Sequence, residues 1–222
     1  MKNILKTNLN LLQSRIDAAL ERANRTPGDA RLIPVTKKVD LEEVQALYDL
    51  GFRELGENRP HDAEPKINAM PDDICWHMIG SIQRRKTKDV VQLFDRIDSV
   101  DRLELATELE KRCAEAARSM EILLQINVSG EDSKHGFTAK VLSDTLNTIQ
   151  SYEHLRIAGL MTMAPAEASE DEIRGYFREL KHLADDNGLS VLSMGMTNDF
   201  EIAIEEGATE IRIGTALYQQ AE

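Results

Sequence analysis

The segment RLIPVTKKVDLEEVQALYDLGFRELGE, residues 31–57, contains the pattern that indicates the fold class of this chain. It begins with a short apolar run, continues with the helical spacing of LEEVQALYDLG, and returns to a second short run that ends in Gly-Glu. A strand, a helix and a second strand in this order are typical of a βαβ unit, whose strands are parallel. We therefore expect a parallel sheet with crossover helices.

The same alternation continues along the rest of the chain. Six further strand candidates follow: CWHMIGS from Cys75, DRIDSVD from Asp95, EILLQINV from Glu121, RIAGLMTM from Arg156, SVLSMGM from Ser190 and EIRIGT from Glu210. Helix candidates between them include RLELATELEKRCAEAARS, AKVLSDTLNTIQSY and EDEIRGYFRELKHLADDNG. Residues 31 to 222 are 192 positions, or 24 for each of eight units, which suits one strand, one helix and two short loops.

The predicted fold is α/β: a single (β/α)8 barrel of the TIM type with an extra N-terminal helix. An open doubly wound sheet would use similar units, but no Gly-rich nucleotide turn follows the first strand, and this favours the closed barrel. Apolar residues at helical spacing predict the extra helix over about residues 3–24: Ile4, Leu5, Leu9, Leu12, Ile16 and Leu20. The barrel is expected over about residues 31–218, with no linker to mark a second domain.

Composition excludes several classes of protein. The 27 Lys and Arg against 39 Asp and Glu give a net charge of −12, which excludes nucleic-acid binding spread over the whole surface. The 41% hydrophobic content excludes disorder. Cys75 and Cys113 form no CxxC pair, and no stretch is typical of a signal peptide or a membrane span. We expect a cytoplasmic protein with neither a nucleic-acid nor a membrane partner.

Lys37 is the candidate nucleophile. In a barrel of this kind the functional residues lie at the carboxyl ends of the strands, and Lys37 follows the apolar run of the first strand. An amine in a desolvated pocket beside another cation loses proton affinity and attacks carbonyl groups, as Schiff-base formation requires. A solvated lysine at a strand end is the alternative, and Lys37 alone does not exclude it.

Two glycine-containing segments predict a phosphate site. They are SMGMTND from Ser193 and RIGT from Arg212, after the seventh and eighth strands. Gly195 and Gly214 would let backbone N–H groups approach an anion, and Thr197 and Thr215 add hydroxyl groups near the starts of the next helices. Either segment alone could be an ordinary turn, but barrels of this type bind phosphate in these two loops. A phosphorylated small molecule is the predicted ligand.

The remaining charged motifs have simpler interpretations. The run QRRKTK at residues 83–88 is interpreted as a solvated helix start rather than an anion site. Four histidines show no metal-ligand spacing: His61, His135, His154 and His182. No metal site is predicted.

Eight motifs resemble the pyridoxal phosphate homeostasis proteins, the YggS/PROSC family. They are VTK at 35–37, GEN at 56–58, WHMIGSIQRRK from Trp76, SVD at 99–101, INVSGEDSKHG from Ile126, GLM at 159–161, LSMGMTND from Leu192 and RIGTA from Arg212. The resemblance runs from about residue 31 to residue 218 with the motifs in the same order. It implies a barrel like the N-terminal domain of alanine racemase, with pyridoxal 5′-phosphate (PLP) held as a Schiff base.

The resemblance also implies residue roles. Lys37 matches the Schiff-base lysine, and Arg212 matches the arginine that faces the pyridine nitrogen. Thr197, Gly214 and Thr215 match the residues that hold the phosphate. Asn58, His77 and Met161 match residues of the surrounding pocket.

The chain departs from the family pattern at four motifs. The usual VSK, GMS, WHFIG and GENY appear as VTK, GMT with Thr197, WHMIG with Met78 and GENR with Arg59. Threonine keeps the hydroxyl of serine, so phosphate binding should survive. Arg59 replaces an aromatic ring by a guanidinium and is expected to change stacking and charge near the mouth.

The predicted function is a non-catalytic PLP-binding protein of vitamin B6 homeostasis. An arginine keeps its proton, with a pKa above about 12, so a pyridine nitrogen facing it stays unprotonated and carbanion chemistry is disfavoured. No strand-end tyrosine offers the opposing base of a racemase, since Tyr48, Tyr152, Tyr176 and Tyr218 lie in predicted helices or the tail. The alternative is a PLP-dependent amino-acid racemase or a related enzyme. The expected partners are PLP and PLP-dependent apo-enzymes, and the expected state is a monomer.

Overall fold

The computed structural model describes residues 2–131 and 134–219, built around a parallel sheet of eight strands. The strands are β1 (Arg31–Pro34), β2 (Glu54–Glu57), β3 (Cys75–Met78), β4 (Arg96–Val100), β5 (Met120–Gln125), β6 (Leu155–Met161), β7 (Val191–Ser193) and β8 (Glu210–Ile213). The sheet order is β1-β8-β7-β6-β5-β4-β3-β2, and every pairing along it is parallel. Each predicted strand is found at its expected place.

The sheet closes into a barrel between β1 and β2. Just beyond the end of β1, Val35 pairs with Gly56, and its N–H donates to the Ile213 carbonyl of β8 at 2.8 Å. The next N–H, of Thr36, donates to the Gly56 carbonyl at 2.9 Å. Because these closing contacts lie at the carboxyl end of β1, the chain leaves the barrel at its mouth with Lys37. The predicted (β/α)8 barrel is confirmed.

Helices surround the strands. In the described residues they are α1 (Lys2–Arg22), α2 (Leu41–Asp49), α3 (Pro60–Ala69), α4 (Thr87–Leu93), α5 (Leu103–Glu115), α6 (Ala139–Gln150), α7 (Glu170–Asp186), α8 (Phe200–Glu205) and α9 (Thr215–Tyr218), with a 3-10 turn (Arg84–Lys86) before α4. None in that part of the chain combines the length and apolar character required to traverse a bilayer. The helix at the N-terminus, α1, is where the apolar spacing predicts it.

Local signals explain where α7 begins and ends. The Ser169 N–H donates to the Glu172 carboxylate at 2.8 Å, one half of a capping box. The predicted stop is also found, because Asn187 caps the helix and Gly188 follows with φ of 65°, a conformation that favours glycine. By contrast, α3 was not predicted, because Pro65 interrupts the helical signal inside its ten residues.

Helix α1 packs across the last two helices. Its Arg15 pairs with Glu201 of α8 at 2.7 Å. The buried Asn8 donates from Nδ2 to the carbonyls of Leu217 at 3.0 Å and Gln219 at 2.7 Å. These contacts fix α9, which begins at the end of β8, against the N-terminal helix.

The interior of the barrel is charged. Arg96 of β4 donates from Nη1 to Glu210 of β8 at 3.0 Å, although these strands are not neighbours in the sheet. Their side chains therefore meet inside the barrel, while the alternating residues Ile97 and Ile211 are fully buried in the apolar core outside it. At these positions β4 and β8 therefore present charged side chains to the barrel interior and apolar side chains to the helices.

Candidate functional site

A cavity of about 430 Å³ lies at the carboxyl ends of the strands. Its walls include the end of β1, the start of the β2–α3 loop, the segment after β3, the end of β5, the β6–α7 loop, the β7–α8 loop and the end of β8. The cavity lies at the mouth of the barrel, where the functional residues of such a barrel are expected.

Six of the eight candidate residues line the cavity: Lys37, Asn58, Thr197, Arg212, Gly214 and Thr215. The other two, His77 and Met161, do not line it, and both are fully buried within β3 and β6. Because neither side chain is accessible, an effect of His77 or Met161 on a molecule in the cavity would act through neighbouring residues. Arg59 is exposed and is also absent from the lining, so its guanidinium does not form part of the wall.

The two lysines after β1 are separated by the backbone. Lys37 is exposed and lines the cavity, whereas Lys38 does not line it. Lys38 has φ of 62°, a left-handed conformation that turns the chain sharply after Lys37. This turn brings one amine to the cavity and leaves the next outside.

A buried ion pair supports the backbone beside Lys37. Glu57, at the end of β2, is fully buried, and its Oε1 accepts from Lys66 Nζ at 2.8 Å and from the Thr36 hydroxyl at 2.7 Å. Lys66 of α3 also donates to the Thr36 carbonyl at 2.7 Å. The ion pair therefore ties α3, β2 and the residue before Lys37 together. Lys66 was not among the predicted site residues, because α3 itself was not predicted.

Breaking this ion pair should destabilise the protein strongly. We expect Lys66→Met to lower the free energy of unfolding by about 3–5 kcal/mol, because it leaves the Glu57 carboxylate buried without its cation. Lys66→Met combined with Glu57→Gln should recover part of that loss. Denaturant unfolding measures the free energy of unfolding of the single and the double variant. Lys88→Met, which changes an exposed lysine, is the matched control. Equal stability of the Lys66→Met and Lys88→Met variants would contradict this assignment.

Arg212 is held in one orientation at the cavity wall. Its guanidinium donates to Ser193 Oγ at 2.7 Å and to the Thr162 carbonyl at 2.9 Å, and only 4% of the residue is exposed. Burial lowers the pKa of Arg212 from its usual value, while the carboxylates of Asp98, Asp199 and Glu210 oppose this effect. The side chain presents a fixed donor group to the cavity.

The β7–α8 loop offers backbone donors to an anion. Met196 closes this loop, because its N–H donates to Asp199 Oδ1 at 2.6 Å and its carbonyl accepts from the N–H of Phe200 at 2.9 Å. In the described part of the chain, no hydrogen bond occupies the N–H groups of Thr197 and Asn198, which both line the cavity.

The end of β8 supplies similar donors. The N–H groups of Gly214 and Thr215 have no acceptor within residues 2–131 and 134–219, and both residues line the cavity. Since α8 has six residues and α9 four, helix dipoles add little, and an anion in this cavity would be held mainly by the N–H and hydroxyl groups themselves. Gly195 is required for a steric reason. Its φ is +94°, a Cβ there would lie 2.6 Å from Ala203 Cβ, and the residue is absent from the lining.

Below the cavity lies the charged cluster of the barrel interior. The Arg96 guanidinium bonds both Asp98, at 2.7 and 3.0 Å, and Glu210. His77 Nδ1 lies 3.5 Å from Asp98 Oδ2, and neither ring nitrogen has a hydrogen-bond partner within the described residues. His77, Asp98 and Glu210 bring possible ligand atoms within 4.8 Å of one another, but Arg96 already occupies both carboxylates. The cluster is therefore an ion-pair network.

This network predicts a pH dependence of stability. Burial acts to lower the pKa of His77, but the Asp98 carboxylate outweighs it and raises the pKa to about 10. The ordinary value in an unfolded chain is about 6.5. Protonated His77 therefore stabilises the fold fully below about pH 6.5, and this contribution is lost as the pH rises towards 10.

Denaturant unfolding between pH 6 and 10 tests this expectation. The free energy of unfolding should fall with pH less steeply in His77→Gln than in the unmodified protein. His182→Gln, which changes an exposed histidine, is the matched control and should keep the original slope. The same slope in all three proteins would contradict the prediction.

Comparison with known proteins places these features in a family. Residues 7–222 match the family described as alanine racemase, N-terminal domain. The pyridoxal phosphate homeostasis protein of Aquifex aeolicus is 37% identical over 217 residues, covering 95% of each chain. That of Pseudomonas aeruginosa is 36% identical over 214 residues, 95% of this chain and 93% of the other.

Solved structures show the same fold. PipY of Synechococcus elongatus, with PLP bound, superimposes with a TM-score of 0.79 at 31% identity, over 92% of this chain and all of that chain. An alanine racemase of Clostridium difficile superimposes with a TM-score of 0.77 at 14% identity. That match covers 99% of this chain and 57% of the racemase, and at this identity it shows the fold alone.

Proposed function

Because this chain belongs to the family of the alanine racemase N-terminal domain and, within it, to the pyridoxal phosphate homeostasis proteins, we propose that it binds PLP at the barrel mouth and serves PLP homeostasis without catalysing a reaction. The observation that carries the proposal is the presence in one cavity of an accessible amine at Lys37, a fixed guanidinium at Arg212 and four unoccupied backbone N–H groups. An amine, a donor for a ring nitrogen and an anion site match the three functional parts of PLP.

Each group of residues has a separate task. Lys37 would supply the primary amine that holds PLP as a Schiff base, with the aldehyde oxygen leaving as water. Arg212 would donate a hydrogen bond to the pyridine nitrogen, and Thr197, Gly214 and Thr215 would hold the phosphate through N–H and hydroxyl groups. Asn58 lines the same wall as Lys37, while His77 and Met161 support the strands from within the barrel.

The cavity lining argues against turnover. PLP supplies the electron sink for amino-acid chemistry, but the protein must supply a base on each face for racemisation. None of the four tyrosines lines the cavity. Among the described lining residues the carboxylate is Asp199, and its Oδ1 is already occupied by the Met196 N–H. These features support the binding protein over the racemase alternative.

The absorption spectrum tests PLP binding directly. The purified full chain mixed with PLP should show the yellow band of an imine, and borohydride should abolish that band by reducing the C=N bond. A spectrum equal to that of free PLP at every ratio would contradict the proposal.

The finer parts of the proposal concern location and partners. We place the protein in the cytoplasm, which accords with the free thiols of Cys75 and Cys113. It acts as a monomer and passes PLP to PLP-dependent apo-enzymes. Light scattering after size-exclusion chromatography measures the mass in solution, and transfer is measured by the activity that an added apo-enzyme gains from the loaded protein.

We expect no enzymatic turnover from the loaded protein. The lack of a placed base typically costs about 10² to 10⁴ in rate, and an open mouth weakens electrostatic stabilisation further. The test is incubation with a panel of amino acids in deuterated water, scoring exchange at Cα and change of configuration. Slow exchange is compatible with the proposal, because PLP alone supports it. Turnover of about 1 s⁻¹ or faster on any amino acid would favour the racemase alternative.

A further inference from the structure

The described methionines fall into two sharply different environments. Met163 and Met196 are 41% and 37% exposed, and both line the cavity, from the β6–α7 and β7–α8 loops. The other methionines of residues 2–131 and 134–219 are 6% exposed or less: Met70, Met78, Met120, Met161 and Met194. Within that part of the chain, the accessible thioethers are therefore confined to the cavity rim.

We propose that Met163 and Met196 form an oxidation site at the cavity rim, through which small peroxides weaken the retention of the bound ligand. The sulfur lone pair attacks one peroxide oxygen, the O–O bond breaks and an S–O bond forms. The thioether is oxidised to a sulfoxide, and the peroxide, after proton transfer to the departing oxygen, is reduced to water. Hydrogen peroxide is the only co-reactant that the step needs.

The position of the two side chains explains why oxidation affects the cavity. They line the same cavity as the apolar residues Ala164, Pro165 and Ile173, and a thioether there offers a polarisable apolar surface. A sulfoxide is polar and hydrated, so it draws water into that part of the wall. Met196 also closes the loop that presents the N–H groups of Thr197 and Asn198. The Met196 residue lines the same cavity as Thr197 and Asn198, so a sulfoxide on its side chain would change the surroundings of these N–H groups.

The two cysteines do not belong to this oxidation site. Cys113 is fully buried, and burial raises its thiol pKa to about 11, which keeps the reactive thiolate scarce at neutral pH. Cys75 is partly buried and lies at the opposite end of β3 from the cavity mouth. Peptide mapping distinguishes oxygen added at either cysteine from oxygen added at a methionine.

The experiment treats the full chain with limiting hydrogen peroxide, without ligand and with PLP, and maps the oxygen added to each peptide by mass spectrometry. Met163 and Met196 should be oxidised about tenfold or more faster than Met78 and Met161, as their exposure requires. PLP should slow the reaction. Oxidation should weaken PLP binding about two- to tenfold, and methionine sulfoxide reductase should restore it.

Two variants make the assignment specific. In the Met163→Leu, Met196→Leu double variant, PLP affinity should be the same before and after peroxide, because leucine keeps an apolar side chain without the sulfur. Met70→Leu, which removes a buried methionine, should keep the sensitivity of the unmodified protein.

Three outcomes would overturn the proposal: equal oxidation of rim and buried methionines, unchanged PLP affinity after complete oxidation of both rim residues, or an affinity loss that persists in the double leucine variant. The effect on PLP rests on the proposed function, but the selectivity of oxidation is measured on the ligand-free chain. Failure of PLP to bind would therefore be distinguished from failure of the oxidation to select Met163 and Met196.

Discussion

Lys37→Ala should abolish the reducible adduct between this protein and PLP. Lys37 is the lysine after β1 that lines the cavity, and a Schiff base needs an accessible primary amine beside the bound aldehyde. After borohydride reduction of the unmodified protein, peptide mapping should find the pyridoxyl group on the Lys37 peptide. In Lys37→Ala the yellow imine band should be lost and labelling should fall by about tenfold or more, because only weakly placed amines remain.

Lys38→Ala is the matched control for this experiment. Lys38 is exposed and adjacent in sequence, but it does not line the cavity. Its removal should leave both the band and the label on Lys37 in place. Label on Lys38 in the unmodified protein, or full labelling of Lys37→Ala, would show that the Schiff-base residue is a different one.

Pyridoxal without its phosphate should bind about a hundredfold or more weaker than PLP. The cavity wall has four backbone N–H groups that can donate to a phosphate, those of Thr197, Asn198, Gly214 and Thr215. Each hydrogen bond to a charged group contributes about 1.5–3 kcal/mol. The loss of two or more such bonds gives a change of this size. Spectroscopic titration of the same protein with both compounds measures the ratio. Equal affinities would exclude a phosphate site in this cavity.

Gly214→Val should also weaken PLP binding. A Cβ at Gly214 would lie 3.4 Å from Val35 Cβ, so alanine fits at ordinary contact distance, whereas a branched side chain meets β1 or fills the anion site. Gly175→Val is the matched control, because nothing lies within 4 Å of a Cβ at that position on α7. Similar PLP affinities for the two valine variants would contradict the role of Gly214.

The positions of the strands could be predicted because their signal is local. Each strand is a short apolar run bounded by polar or glycine residues, as in Arg31–Pro34 and Glu210–Ile213, and the run itself is present in the sequence. The site followed from the fold class, because a parallel barrel brings the carboxyl ends of all strands to one mouth. Lys37, Arg212 and Gly214, widely spaced along the chain, were accordingly expected together and all line the cavity.

Local sequence patterns specify the strands, the longer amphipathic helices and the residues at the strand ends, because these depend on neighbours a few positions away. Which side chains meet across the barrel depends instead on how the closed fold brings distant strands together. Arg96 and Glu210 are 114 positions apart and pair because closure places β4 and β8 across the same interior. The same holds for Lys66, whose contact with Glu57 and Thr36 requires α3 to pack on β2. His77 and Met161 also lie outside the cavity lining for this reason, since the depth of a residue in a barrel depends on strand register, which no local pattern records.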